Sequence, residues 1–209
     1  MSKKITSVEN LKKISVKQKA IKKRLVLCHG VFDLLHVGHI NYFHEAKIHG
    51  DILIVSATSD KYVNKGPNRP FFSESNRLKA LAALDVVDYV VLSNSPTGIQ
   101  LIKELKPDIY CKGPDYKSHK NDISGEIKNE ISAVKKYRGK IIYTKGETFS
   151  SSKLINEYSD IYNNNHKSLI KRIKKKYRFT QIRRWIENFK KLKVLVIGET
   201  IIDQYVFCE

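Results

Sequence analysis

The sequence predicts an α/β fold: a mostly parallel sheet with helices on both faces. Three observations predict it. Short runs rich in β-branched residues alternate with longer stretches of helical period. The runs are apolar at consecutive positions, as strands covered on both faces must be. At 209 residues the chain has room for one such domain and little more.

In order, the expected strands are RLVLCHG (24–30), DILIVSAT (51–58), VVDYVVL (86–92), PDIYCKG (107–113) and KIIYTKG (140–146). Between them the helical period returns near 38–49, 74–84, 97–105 and 122–138, and again at 151–160. A strand followed each time by a helix gives βαβ units, whose strands run parallel. Residues 25–160 form this domain. Ahead of it, residues 1–24 are basic, with Val8, Leu11 and Ile14 at helical spacing, which predicts an edge or lid helix. Residues 161–191 read as a basic linker and amphipathic helix, with Ile170, Ile173 and Tyr177 followed by Ile182, Trp185, Ile186 and Phe189. Residues 192–209, LKVLVIGETIIDQYVFCE, read as a strand, a turn and a second apolar stretch, too little to bury its own faces.

Several classes are excluded or disfavoured. No apolar run is long enough to span a bilayer. The amino terminus lacks the apolar stretch of a secretory signal, so a cytoplasmic location is expected. Cys28, Cys111 and Cys208 are odd in number and form no CxxC pair, which points to buried free thiols. The net charge of +18 sits in the flanks: residues 1–24 carry nine Lys/Arg and one acid, residues 166–193 twelve and one, whereas residues 25–165 hold 18 basic against 16 acidic side chains. Charge runs of this kind are more often solvated helix faces than nucleic-acid footprints, so nucleic acid is not the expected partner.

The chemistry concentrates in HGVFDLLHVGHI (29–40). In an open α/β sheet ligands bind at the carboxyl ends of strands, and the first strand ends at His29-Gly30. A helix starting near Gly38 would offer backbone N–H groups and its dipole to an anion. His36 and His39 would bracket that anion, with the missing β-carbon of Gly38 leaving space between them. Imidazoles so placed can donate hydrogen bonds to a phosphoryl group in transfer, a reaction that asks mainly for positioning and charge stabilisation. A zinc site would need a third ligand that no usual spacing supplies. Asp33 reads as a helix-start residue, and His29, His44 and His49 as structural.

GVFDLLHVGH resembles the HxGH signature of the cytidylyltransferase-like nucleotidyltransferase superfamily. Three later segments are similar to its further motifs: KGPNRPFFSESNR (65–77), KPDIYCKGPDYK (106–117) and GETFSSSKLI (146–155). The resemblance covers roughly residues 20–160 and is nearest to the nucleotidyltransferase half of bifunctional ADP-heptose synthases. It implies a Rossmann-like fold and transfer of a nucleoside monophosphate, with Mg2+ accompanying the triphosphate. By the same resemblance His36, His39, Lys47 and Arg77 are catalytic. Gly30, Val31, Phe32, Gly38, Lys112, Gly113, Asp115, Ser150, Ser151 and Ser152 bind nucleotide, and Lys65 and Arg69 bind the second substrate. No protein metal ligand is implied.

Lys145, where cytidylyltransferases usually carry arginine, and Pro114, where the heptose-synthase loop usually carries glycine, favour ATP over CTP. The tail LKVLVIGETIIDQYVF resembles the opening of a ribokinase-like carbohydrate kinase. That implies a kinase domain on the same or a companion chain, and a phosphorylated sugar or polyol as acceptor. A homodimer is expected. The alternatives are a CTP-dependent enzyme acting on glycerol 3-phosphate and a non-enzymatic nucleic-acid binder using the basic flanks.

Overall fold

Three aspartates stand immediately ahead of strands and tie the sheet together at its amino edge. The strands are β1 (Leu25–Gly30), β2 (Ile52–Thr58), β3 (Tyr89–Ser93), β4 (Ile109–Lys112) and β5 (Lys140–Tyr143). Asp51 accepts the Arg24 N–H at 2.7 Å, Asp88 the Leu53 N–H at 2.6 Å and Asp108 the Leu25 N–H at 2.8 Å. Each carboxylate thus satisfies a donor on the neighbouring strand where the ladder begins.

This is a computed structural model, and it describes residues 3–65, 69–116, 126–145 and 164–193. The sheet order is β3-β2-β1-β4-β5 and every pairing is parallel. The strand order reverses between β1 and β4, and open α/β sheets bind ligands in the crevice at such a point. The helices are α1 (Val8–Ala20), α2 (Val37–Lys47), α3 (Glu74–Ala82), α4 (Ile99–Leu105) and α5 (Ile127–Lys136).

Alternation along the strands builds two cores. Val26, Cys28, Leu53 and Val55 meet Phe43 and Ala46 of α2 and Leu81 of α3. Leu25, Leu27, Ile52 and Ile54 meet Leu11 of α1, Leu101 and Ile102 of α4, and Val134 of α5. Helices on both faces were expected, and both faces are covered. Cys28 and Cys111 are buried free thiols facing each other across β1 and β4; Cys208 lies outside the described residues.

The third strand starts later than the sequence predicts. Val87 is fully buried, but its N–H bonds Leu84 O in a turn, so an apolar residue here serves the core without entering the ladder. Residues 1–24 do not stand apart either. Leu11 is fully buried, Ile5 bridges Val90, and the segment belongs to the compact unit Met1–Glu157.

The second unit, Tyr158–Glu209, contains α6 (Asn164–Lys176) and α7 (Phe179–Phe189). Gln181 caps α7 by accepting the Arg178 N–H at 2.9 Å, and the Tyr177 and Trp185 rings meet edge to face. The expected helix at 151–160 and most of the kinase-like tail lie outside the described residues.

Candidate active site

The turn after β1 is built around Gly30 and Phe32. Phe32 adopts φ of 48°, a left-handed conformation that costs a non-glycine residue energy. A β-carbon on Gly30 would come within 3.0 Å of the Phe32 ring, so glycine is what lets that ring fold back over the strand end. The ring is buried against Phe43 and edge-on to His39, with centroids 5.1 and 5.5 Å away. Phe32 is therefore the floor beneath the histidines.

His36 is the N-cap of α2, with extended backbone and no side-chain capping bond. Helix geometry then brings His39 under it, and the two rings stack at 3.9 Å with 27° between their planes, so the space expected between them for an anion does not open and both rings would meet one from the same side. Burial lowers the pKa of both. That of His39 falls to about 3, with the neighbouring His36 and Lys65 charges adding to desolvation. Both imidazoles are neutral at pH 7, and His39 Nδ1 is buried with no hydrogen-bond partner among the described residues.

Asp33 does not start the helix, as its position suggests; His36 does. Asp33 is instead a buried hub. Its Oδ2 accepts Arg69 Nε at 2.7 Å, and its Oδ1 accepts the N–H groups of Phe71 and Phe72 at 2.7 and 2.9 Å. Arg69 is itself buried, and its Nη2 lacks a hydrogen-bond partner among the described residues. Lys65 stands near this group: desolvation lowers its pKa first, then the Arg69 charge, with Asp33 opposing. The structure thus gathers His36, His39, Lys65 and Arg69 at the carboxyl edge of the sheet.

Of two further expected catalytic residues, one lies elsewhere and the other is engaged by the protein beneath the site. Lys47 sits in the last turn of α2, roughly 16 Å along the helix from His36. Its ammonium bonds Asp51 O at 2.7 Å and pairs with Asp88, at the opposite edge of the sheet. Helix length removes it from the histidines. Arg77 is 1% exposed and engaged through all three guanidinium nitrogens: Nε with Phe72 O, Nη1 with Val31 O, and Nη2 with Thr58 O and Asp60. It clamps the backbone around the turn, and each of its guanidinium nitrogens has a protein partner. The Val31 carbonyl is turned toward it.

On the β4 side, Lys112 pairs with Glu130 at 2.7 Å, both buried, and its ammonium lies 4.6 Å from the Tyr116 ring centroid. Glu130 also accepts the Gly98 N–H at 2.8 Å. The Lys112 side chain is committed to the protein. Above Gly113 a β-carbon would meet nothing within 4 Å among the described residues. Asp115 lies in a single 3-10 turn, Pro114–Tyr116. His29, expected to be structural, is buried with Nδ1 3.1 Å from Ser56 Oγ; burial, then the Lys112 charge, lowers its pKa to about 4. Gly38 lies in the first turn of α2. Ser150, Ser151 and Ser152 lie outside the described residues. Glu45 of α2 accepts the Lys145 N–H through both carboxylate oxygens, a tie that no motif signalled. Among the described residues no cluster of His, Cys, Asp and Glu is disposed to hold a metal ion.

A parallel sheet with a histidine pair at its switch point defines a class, and the class has a family. Residues 27–158 match the family Cytidylyltransferase-like, and the chain belongs to it, among the nucleotidyltransferases. Its particular relatives include the bifunctional protein HldE of Aliarcobacter butzleri, 38% identical over 138 residues, which are 65% of this chain and 29% of that protein. HldE of Geobacter metallireducens is 44% identical over 115 residues, 54% of this chain and 24% of the relative. The chain therefore spans only about a quarter of the length of these curated relatives. The family match ends ahead of residues 192–209, expected to open a kinase domain, and does not cover them.

Among solved structures, a lipopolysaccharide core biosynthesis protein from Thermoplasma volcanium superposes with a TM-score of 0.51 at 30% identity, covering 60% of this chain and 99% of that one. A pantoate-beta-alanine ligase from Francisella tularensis shares the fold at a TM-score of 0.54 and 18% identity, over 74% of this chain and 73% of the ligase.

Proposed function

We propose that the protein transfers a nucleoside monophosphate from a nucleoside triphosphate to a phosphorylated sugar, such as heptose 1-phosphate, in making activated sugars for cell-surface glycans. An oxygen of the acceptor phosphate attacks the α-phosphorus. The bond from that phosphorus to the oxygen bridging to the β-phosphate breaks, and pyrophosphate leaves. The observation that carries this reading is the stacked His36–His39 pair on the first turn of α2, with a buried His39 nitrogen that has no hydrogen-bond partner among the described residues.

Each neutral imidazole can donate one N–H to a phosphoryl oxygen, in a site where burial strengthens the bond. Lys65 and Arg69 reduce the repulsion between two anionic substrates. Gly113 leaves room for base or ribose, and Ser150, Ser151 and Ser152 are proposed for the outer phosphates. Mg2+ would enter with the triphosphate, held mainly by phosphate oxygens and water, as this small hard cation prefers. The sugar acceptor is supported by the likeness to HldE proteins and to the lipopolysaccharide core biosynthesis protein. ATP is favoured by Lys145 and Pro114. A cytoplasmic homodimer working with a kinase domain on the same or a companion chain completes the proposal.

The test is pyrophosphate release with four nucleoside triphosphates against a panel of sugar and polyol phosphates. Folded His36→Ala and His39→Ala variants should each lose about a hundredfold or more in turnover. Wild-type rates in both variants, with every pair that the wild type uses, would end the proposal.

A further inference from the structure

Phe71 and Phe72 are a pair of adjacent aromatic residues left open to solvent, 57% and 38% exposed, with rings perpendicular and 5.2 Å apart. They are not loosely held. Both amides are bound to Oδ1 of Asp33, whose Oδ2 holds Arg69, and the Phe72 carbonyl accepts Arg77 Nε at 3.1 Å. One buried carboxylate therefore sets the spacing between a guanidinium and an aromatic surface. The Arg69 side chain is 5% exposed, and its Nη2 is buried with no hydrogen-bond partner among the described residues. A buried donor left unpaired costs about 1–3 kcal/mol, and exposed aromatic surface is unfavourable beside it.

We propose that Phe71 and Phe72 are the shelf that selects a cyclic sugar phosphate as acceptor, its phosphate taken by Arg69 and its ring lying on the aromatic surface. The inference rests on the acceptor reading above and narrows it. A sugar ring has a face of C–H bonds, weakly positive, that complements the negative face of an aromatic ring. It is also rigid, so little freedom is lost when it settles. An acyclic polyol phosphate carries the same anion but no such face, and gains from Arg69 alone. Phe71 meets Asp33 through its backbone N–H, so changing its side chain leaves the hub intact.

The experiment measures calorimetric binding of mannose 1-phosphate, heptose 1-phosphate and glycerol 3-phosphate to the full chain, together with KM for acceptor and nucleotide. Phe71→Ala should weaken binding of the best sugar phosphate roughly five- to tenfold. Phe71→Trp should retain it. Glycerol 3-phosphate binding, nucleotide KM and melting temperature should not move. The shelf is overturned by unchanged sugar-phosphate affinity in Phe71→Ala, by an equal loss for glycerol 3-phosphate or nucleotide, or by a wild type that binds neither sugar phosphate at millimolar concentration. If the binding contrast holds while no pyrophosphate is released from any pair, the transfer reaction fails and the shelf stands.

Discussion

The two edges of the sheet treat polar groups in opposite ways. At the amino edge Asp51, Asp88 and Asp108 each accept a strand N–H, and Lys47 is neutralised by Asp88. At the carboxyl edge His39 Nδ1 and Arg69 Nη2 are buried with no hydrogen-bond partner among the described residues, and Lys65 adds positive charge beside them. Buried polar groups are usually paired, and the proposed function offers these two nitrogens the partners they lack. The contrast separates polar groups satisfied within the protein from buried nitrogens that keep an unfilled hydrogen-bonding position, even where, as in Arg69, the charge itself is paired.

Asp33 is where this contrast breaks most severely. Asp33→Ala would leave Arg69 buried without its counter-charge and release the Phe71 and Phe72 amides. A loss of about 3–5 kcal/mol in unfolding free energy is expected, with turnover abolished. Denaturant melts check it, and a loss below about 1 kcal/mol would mean that Asp33 is not the hub.

The histidine pair sharpens the comparison through pH. Folded His39 stays neutral down to about pH 3, while an unfolded imidazole takes up a proton near pH 6.5. Between those values the unfolded chain binds more protons, so this group's share of stability, full above pH 6.5, is lost as the pH falls toward 3. His39 should contribute roughly 2 kcal/mol to the difference between pH 7 and pH 5. His39→Asn should flatten the urea stability profile by that amount; a profile as steep as wild type would contradict the buried neutral ring.

Lys47 gives the smallest effect and the cleanest control. Its pair with Asp88 is about a third exposed on each side, so Lys47→Ala should cost about 0.5 kcal/mol or less. Nucleotide KM and turnover should be unchanged. A large rise in KM would return Lys47 to the site and erase the distinction between the edges.

The order of strands and helices was legible because burial on both faces writes itself as consecutive apolar residues. The HxGH turn was legible because its spacing, its glycine and its strand-end position coincide. Lys47 and Arg77 could not be sorted the same way. A lysine eleven residues after His36 carries no mark of which edge it reaches, and Arg77 looks like any helical arginine until Val31 O, Thr58 O and Asp60 close around it. Asp33 stands three residues before His36, yet its partners Arg69, Phe71 and Phe72 come from a loop more than thirty residues later.

By itself the sequence determined what depends on periodicity and local spacing: a parallel α/β domain, the end of the sheet where its motifs gather, and a histidine pair where α2 begins. Only the tertiary structure decided which charges remain available. A charge is neutralised or left waiting according to what distant segments bring within about 3 Å of it, and that distance is not encoded in the position of any one residue.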